Sequence, residues 1–153
     1  MPTPAKLVSA VLFAALCWFV ADSIVRYTLE EGVVVGPFRE VLAAGGLVVG
    51  WRTIGTAATG PVGRGNTIPN VITAGVAAAF ILMVLALLIH SFGVMIVESL
   101  NGSYNSVGKG ASAWMGFLMN DARTIAHPVV LGLLFGGGAL IGLVAGVVGQ
   151  RTT

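Results

Sequence analysis

Apolar residues fall along this chain in long blocks, broken by short polar stretches rich in glycine, proline or charge. A helix that crosses a bilayer needs about 20 largely apolar residues. Four blocks reach or approach that length. The first runs from Leu7 to Val25 behind Thr3 and Pro4, which suit a helix start because proline is tolerated at the first helical position. Near its far end Asp22 and Arg26 stand four residues apart, where they can pair on one face. Lys6 and the run behind it also fit a secretory leader, but Leu16 is too bulky for the position before a cut at Cys17, so a retained anchor is expected.

The second block is the weakest. Val41 to Trp51 is short, and extending it from Pro37 to Ile54 brings Arg39 and Glu40 into the helix end, where they can snorkel or pair, forming with Asp22–Arg26 a paired cluster at one interface. A half-inserted helix remains the alternative. The third is the clearest: Thr67, Ile68 and Pro69 mark its start, and no charge falls between Val71 and Val97. Its excess length calls for tilt or a protruding end. The fourth runs from Pro128 to Val148 and is closed by Gly149, Gln150 and Arg151.

Between the third and fourth blocks, Asn101 to Ser106 read as a turn. After it Ala111, Trp114, Met115, Leu118, Ala122 and Ile125 recur at the spacing of one helix face. Trp114 and Phe117 suit a membrane interface. Residues 111–125 are therefore expected as a short helix lying on the bilayer, with a helix covering the bundle end as the alternative. The expected architecture is all-α, a single membrane domain over residues 1–153. It is a bundle of about four transmembrane helices (residues 7–26, 37–54, 69–98 and 128–148) plus one interfacial amphipathic helix.

Composition supports this class. Hydrophobic residues make up 56% of the 153 positions and charged residues 9%. A soluble domain carries roughly 25% charged residues, so too few charges are present to cover a water-facing surface. Disorder is excluded for the opposite reason, since it needs low hydrophobicity and high charge. A net charge of +2 is too small and dispersed for nucleic-acid binding. One cysteine excludes an intrachain disulfide and a Cys-cluster metal site.

An even number of spans puts both termini on one side, together with the Gly55–Asn66 loop. That side carries Lys6, Arg52, Arg64 and Arg151 and no acid. The other carries Arg26, Arg39, Lys109 and Arg123 with all six acids. Basic residues tie at four each, and basic residues are what orient a membrane protein. The unneutralised bases and the terminal amine favour a cytoplasmic position for both termini in a bacterial inner membrane.

Glycine is abundant, 22 residues in all, and much of it lies inside spans. Gly46–Gly50, Gly132–Gly136, Gly138–Gly142 and Gly142–Gly146 are each GxxxG, and Gly75 with Ala79 repeats the small-xxx-small pattern. In lipid such positions let helix backbones approach closely. Packing among the four spans is the first explanation. Homo-oligomerisation, or docking onto a larger membrane complex with Trp114 at the contact, is the second.

Candidate chemistry is sparse. Cys17 lies mid-span among apolar neighbours, where a thiol is inert. A lone histidine such as His90 is expected to bond a neighbouring helix, and His127 to cap the interfacial one. Met115 and Met119 could offer two thioethers to a soft metal, although core or lipid contact explains them as well. No catalytic residue, cofactor or metal site is expected. Ionisable residues sit at span ends, which argues against a proton path, a pump or a channel built from one chain. One segment could hold an anion: Gly63 and Gly65 flank Arg64, with Arg52 just upstream, and glycine-rich backbone can aim several N–H groups at an oxyanion. No phosphate-loop motif accompanies it.

The order of these features resembles the TrgA family of small alphaproteobacterial membrane proteins associated with tellurite resistance. The residues that carry the resemblance open with Met1-Pro2-Thr3, Lys6-Leu7-Val8, Trp18-Phe19 and Ala21-Asp22. They continue through Glu31-Gly32, Gly36 with Phe38, and Gly46 to Gly50-Trp51-Arg52 with Gly55. Gly63, Gly65, Met95-Ile96, Tyr104 and the glycine-rich stretch around Gly136-Gly137-Gly138 and Gly142 complete the set. Asn105-Ser106-Val107-Gly108 and the tail Gln150-Arg151-Thr152-Thr153 depart from the family pattern. The resemblance implies a phenotype, tellurite resistance, and brings no catalytic residues with it.

Overall fold

The structure is a computed structural model and describes residues 3–28, 38–60 and 66–152. Among these residues it holds six helices and no strand. They are α1 (Pro4–Thr28), α2 (Phe38–Arg52), α3 (Ile54–Ala58), α4 (Ile68–Leu100), α5 (Val107–Ile125) and α6 (Pro128–Thr152). Four stretches are long and apolar enough to cross a membrane: Pro4–Ile24, Phe38–Ala58, Ile68–Leu100 and Pro128–Arg151. The chain is thus an all-α bundle of four candidate spans.

The second span is longer than its apolar run suggests. α2 and α3 are separated only by Thr53. Its Oγ1 and its N–H both donate to the Val49 carbonyl, at 2.5 and 2.9 Å, and such threonine back-bonding bends a helix. The chain then continues helically to Ala58, so Gly55 belongs to a helix and not to a loop. It is buried there, and a Cβ on it would lie 2.8 Å from Lys6 Cγ.

Pairwise packing sets the order of the helices. α1 lies against α2 and α6, and α6 lies against α4. One end of the bundle gathers the starts of α1 and α4, the end of α6, and α3. The core is small and apolar: Phe13, Cys17, Ala21, Ala58, Ala78, Ala79, Val130 and Ala145 are fully or almost fully buried. Large apolar side chains such as Phe19, Val48, Phe80, Ile89 and Leu140 point outward, as a lipid-facing surface requires.

α4 has 33 residues, a length of roughly 50 Å at 1.5 Å per residue, against a hydrocarbon core of about 30 Å. Its first half packs on α6 through Val71 and Gly75. Its second half forms an antiparallel hairpin with α5, folded at Asn101–Ser106. α4 closes in a Schellman arrangement, with Gly102 at φ 77°, its N–H on the Ser99 carbonyl, and the Ser103 N–H on the Glu98 carbonyl. Ser106 caps α5 by accepting from the Lys109 N–H.

α5 begins four residues before the start that its apolar spacing indicates, and it packs along α4. Its inward face is also rotated. Of the apolar face, Trp114, Leu118 and Ile125 turn toward the bundle, but Ala111, Met115 and Ala122 are exposed, while Asp121 turns in. Two polar contacts to α4 set this rotation. Trp114 Nε1 donates to Ser91 Oγ at 3.0 Å, and His90 Nδ1 meets Asp121 Oδ2 at 2.9 Å.

Candidate functional site

The glycines divide into two sets. Cβ atoms on Gly46 and Gly50 would lie 2.5 Å from Cys17 Sγ and 2.8 Å from Phe13 Cβ, so that pair serves the α1–α2 contact. Gly138 faces Gly75, with a Cβ 2.7 Å from the Gly75 carbonyl oxygen. Gly142 sits against the Val71 carbonyl, and Gly146 against Val71 and Asn66. These pairs hold α4 to α6 and are closed to any outside helix. Gly132 and Gly136 differ: nothing lies within 4 Å of a Cβ on either. They form an open ridge on α6, beside the exposed Val129, Leu133 and Leu140. Trp114 is half-buried in the α4–α5 hairpin by its bond to Ser91 and its edge-on contact with Phe92, with ring centroids 5.6 Å apart.

Of the candidate anion loop, Arg52 ends α2 with its side chain exposed, and Gly63, Arg64 and Gly65 lie outside the described residues. Just beyond them Asn66 is buried. Its Nδ2 donates to the Ala58 and Gly146 carbonyls, both at 2.9 Å, tying α3 to α6 at the entry to α4. Nothing in the sequence pattern singled out this clamp, because its two acceptors are backbone atoms from distant segments.

The opposite end of the bundle carries most of the charge. Asp22 bonds Arg26 at 2.7 Å, as the four-residue spacing indicates. Arg39 reaches across to the same carboxylate at 2.8 Å and stacks over Trp18 at 5.8 Å. Asp22 thus ties α1 to α2, and Arg39 pairs between helices instead of with its neighbour Glu40. His90 bonds a neighbouring helix as expected, and its partner Asp121 was invisible in the pattern because the two residues are 31 positions apart. Among the described residues no group of three or more His, Cys, Asp or Glu could hold a metal ion. Met115 and Met119 are exposed on the outer face of α5.

Beside His90 lies a cavity of about 180 Å³ where five helices meet. Val20, Ile24, Leu42, Leu82, Val130 and Leu134 wall it, and Asn120, Asp121 and Thr124 of α5 supply polar atoms. A shallower groove of about 530 Å³ runs between α2 and α4. The two spaces share Phe38, Leu42, Leu82, Ala86 and His90 as walls.

The fold therefore defines a class, the multi-pass helical membrane proteins. The chain matches no family model, no curated protein and no solved structure. Function must be argued from its own residues.

Proposed function

We propose that this is a non-catalytic multi-pass protein of the bacterial inner membrane, with both termini cytoplasmic, of the kind associated with tellurite resistance. The observation that carries the non-catalytic part is where the polar side chains go. Ser91, Asn66, Asp22 and Arg39 each join one helix to another. In lipid such contacts hold helices together, and here they take up groups that chemistry would otherwise use. The resemblance to the TrgA family supplies the phenotype, and the acid-free basic face at Lys6, Arg52, Arg64 and Arg151 supplies the orientation. Expression in a tellurite-sensitive host should raise the minimum inhibitory tellurite concentration. Arg52→Ala combined with Arg64→Ala should abolish the gain at equal protein level if the basic loop meets the oxyanion. An unchanged inhibitory concentration with the wild-type chain would remove the tellurite reading.

A second reading is favoured by the open Gly132–Gly136 ridge. Here the protein is an accessory subunit that presents this ridge to a helix of a larger photosynthetic or respiratory complex. Extraction in mild detergent should then yield a particle far above 15.6 kDa. Gly136→Leu should release the chain from it while the bundle itself stays folded, since that position touches nothing within the chain. Recovery of the wild type only as a free monomer would count against this reading.

A further inference from the structure

We propose that the cavity beside His90 binds a membrane-borne quinol, a flat hydroxylated ring carried on an apolar tail. The space is the right size and character for the ring. An apolar cavity of about 150 Å³ stays dry and accepts benzene, and this one measures about 180 Å³. Ligand sites combine mostly apolar walls with a few polar groups that fix orientation, and His90 and Asp121 stand in that relation to Leu42, Leu82 and Leu134. The tail has a path as well. The adjoining groove is open on the lipid-facing side, where Val41, Val48 and Ile89 are exposed. Gly45 keeps it clear, since a Cβ there would come within 3.2 Å of Leu82 Cδ1.

The His90–Asp121 pair selects the head group. In a neutral imidazole that donates Nδ1–H to Asp121, Nε2 holds a lone pair. Among the described residues no side chain donates to that nitrogen. The side chain is half exposed, and this lone pair can accept from a hydroxyl that enters the cavity. A quinol carries one, whereas the corresponding quinone offers only acceptors. Phe38 stands edge-on to the imidazole, with centroids 6.2 Å apart and planes at 70°, and provides an aromatic wall for the incoming ring. The inference concerns binding alone. It is independent of the tellurite and accessory-subunit readings.

Purified full-length protein in detergent is titrated with 2-decylhydroquinone, its dimethyl ether and 2-decylbenzoquinone, with thermal unfolding as the readout and calorimetry for affinity. The hydroquinone should raise Tm and bind about tenfold more tightly than the other two, the difference made by one hydrogen bond. His90→Phe keeps a ring and removes the acceptor, and should erase that preference. Ala86→Phe fills the shared wall and should abolish binding of all three. If Ala86→Phe does not fold, His90→Phe decides alone. Equal affinity for hydroquinone and ether, an unchanged preference in His90→Phe, or no binding would each overturn the proposal.

Discussion

A methyl group at Gly75 would run into the carbonyl of Gly138, and one at Gly142 into the carbonyl of Val71. Backbone cannot move aside as a side chain can, so these two positions set the α4–α6 separation. Gly75→Ala should cost about 1–3 kcal/mol, the usual range for overpacking, even though alanine is the better helix former. Gly136→Ala should be neutral or stabilising by up to about 1 kcal/mol, because it meets nothing and gains helix propensity. Unfolding of the two variants in mixed micelles, followed by circular dichroism, separates them: equal stability would mean that the glycine faces are wrongly assigned. Asn66 acts at the same scale. Asn66→Ala leaves the inward-facing carbonyls of Ala58 and Gly146 without their donors and should cost about 1–3 kcal/mol by the same assay. The GxxxG and small-xxx-small spacings mark all of these glycines alike in the sequence. Only the partner distinguishes the closed set from the open Gly132–Gly136 ridge, and spacing does not encode the partner.

Helices are legible in sequence where apolar runs are long and their ends are punctuated. Thr67 and Pro69 start α4, and Pro128 starts α6, as the pattern indicates. The second span is expected to stop at Ile54 because Gly55 to Asn66 reads as a glycine-rich loop, whereas the helix only bends at Thr53 and continues to Ala58. For α5 the period was readable and the phase was not. Apolarity alone turns Met115 inward, whereas hydrogen bonds at Ser91 and His90 turn Asp121 inward instead. The Trp114–Ser91 contact reaches a fully buried hydroxyl, and such a contact outweighs one more methionine contact. Trp114→Phe tests this. It keeps the ring beside Phe92 and removes the donor to the fully buried Ser91 hydroxyl. The hairpin should loosen by about 1 kcal/mol. Amide exchange should quicken along α5 while α1 and α6 keep their protection. Unchanged exchange in α5 would mean that apolar contact alone fixes the hairpin.

Across the whole molecule, the two ends of the bundle differ in kind. One end collects α3, the Asn66 clamp and the starts of α1 and α4. The other collects Asp22, Arg26, Arg39 and the His90–Asp121 pair, with the α4–α5 hairpin beyond them. The excess length of α4 is taken up by that hairpin, which answers what a span of 33 residues does with its far end. This arrangement requires all four apolar stretches to cross, including the second, whose apolar run is the shortest. Single-cysteine labelling decides it most directly. In a Cys17→Ala background, Pro4→Cys, Thr56→Cys, Ser103→Cys and Arg151→Cys each place a thiol at an exposed position. A membrane-impermeant maleimide applied to oriented vesicles should reach Pro4, Thr56 and Arg151 from one face and Ser103 from the other. Pro4 is the deciding position, because a second stretch that failed to cross would still leave Thr56 and Arg151 together. Pro4 labelled from the face opposite Arg151 would contradict the four-span bundle.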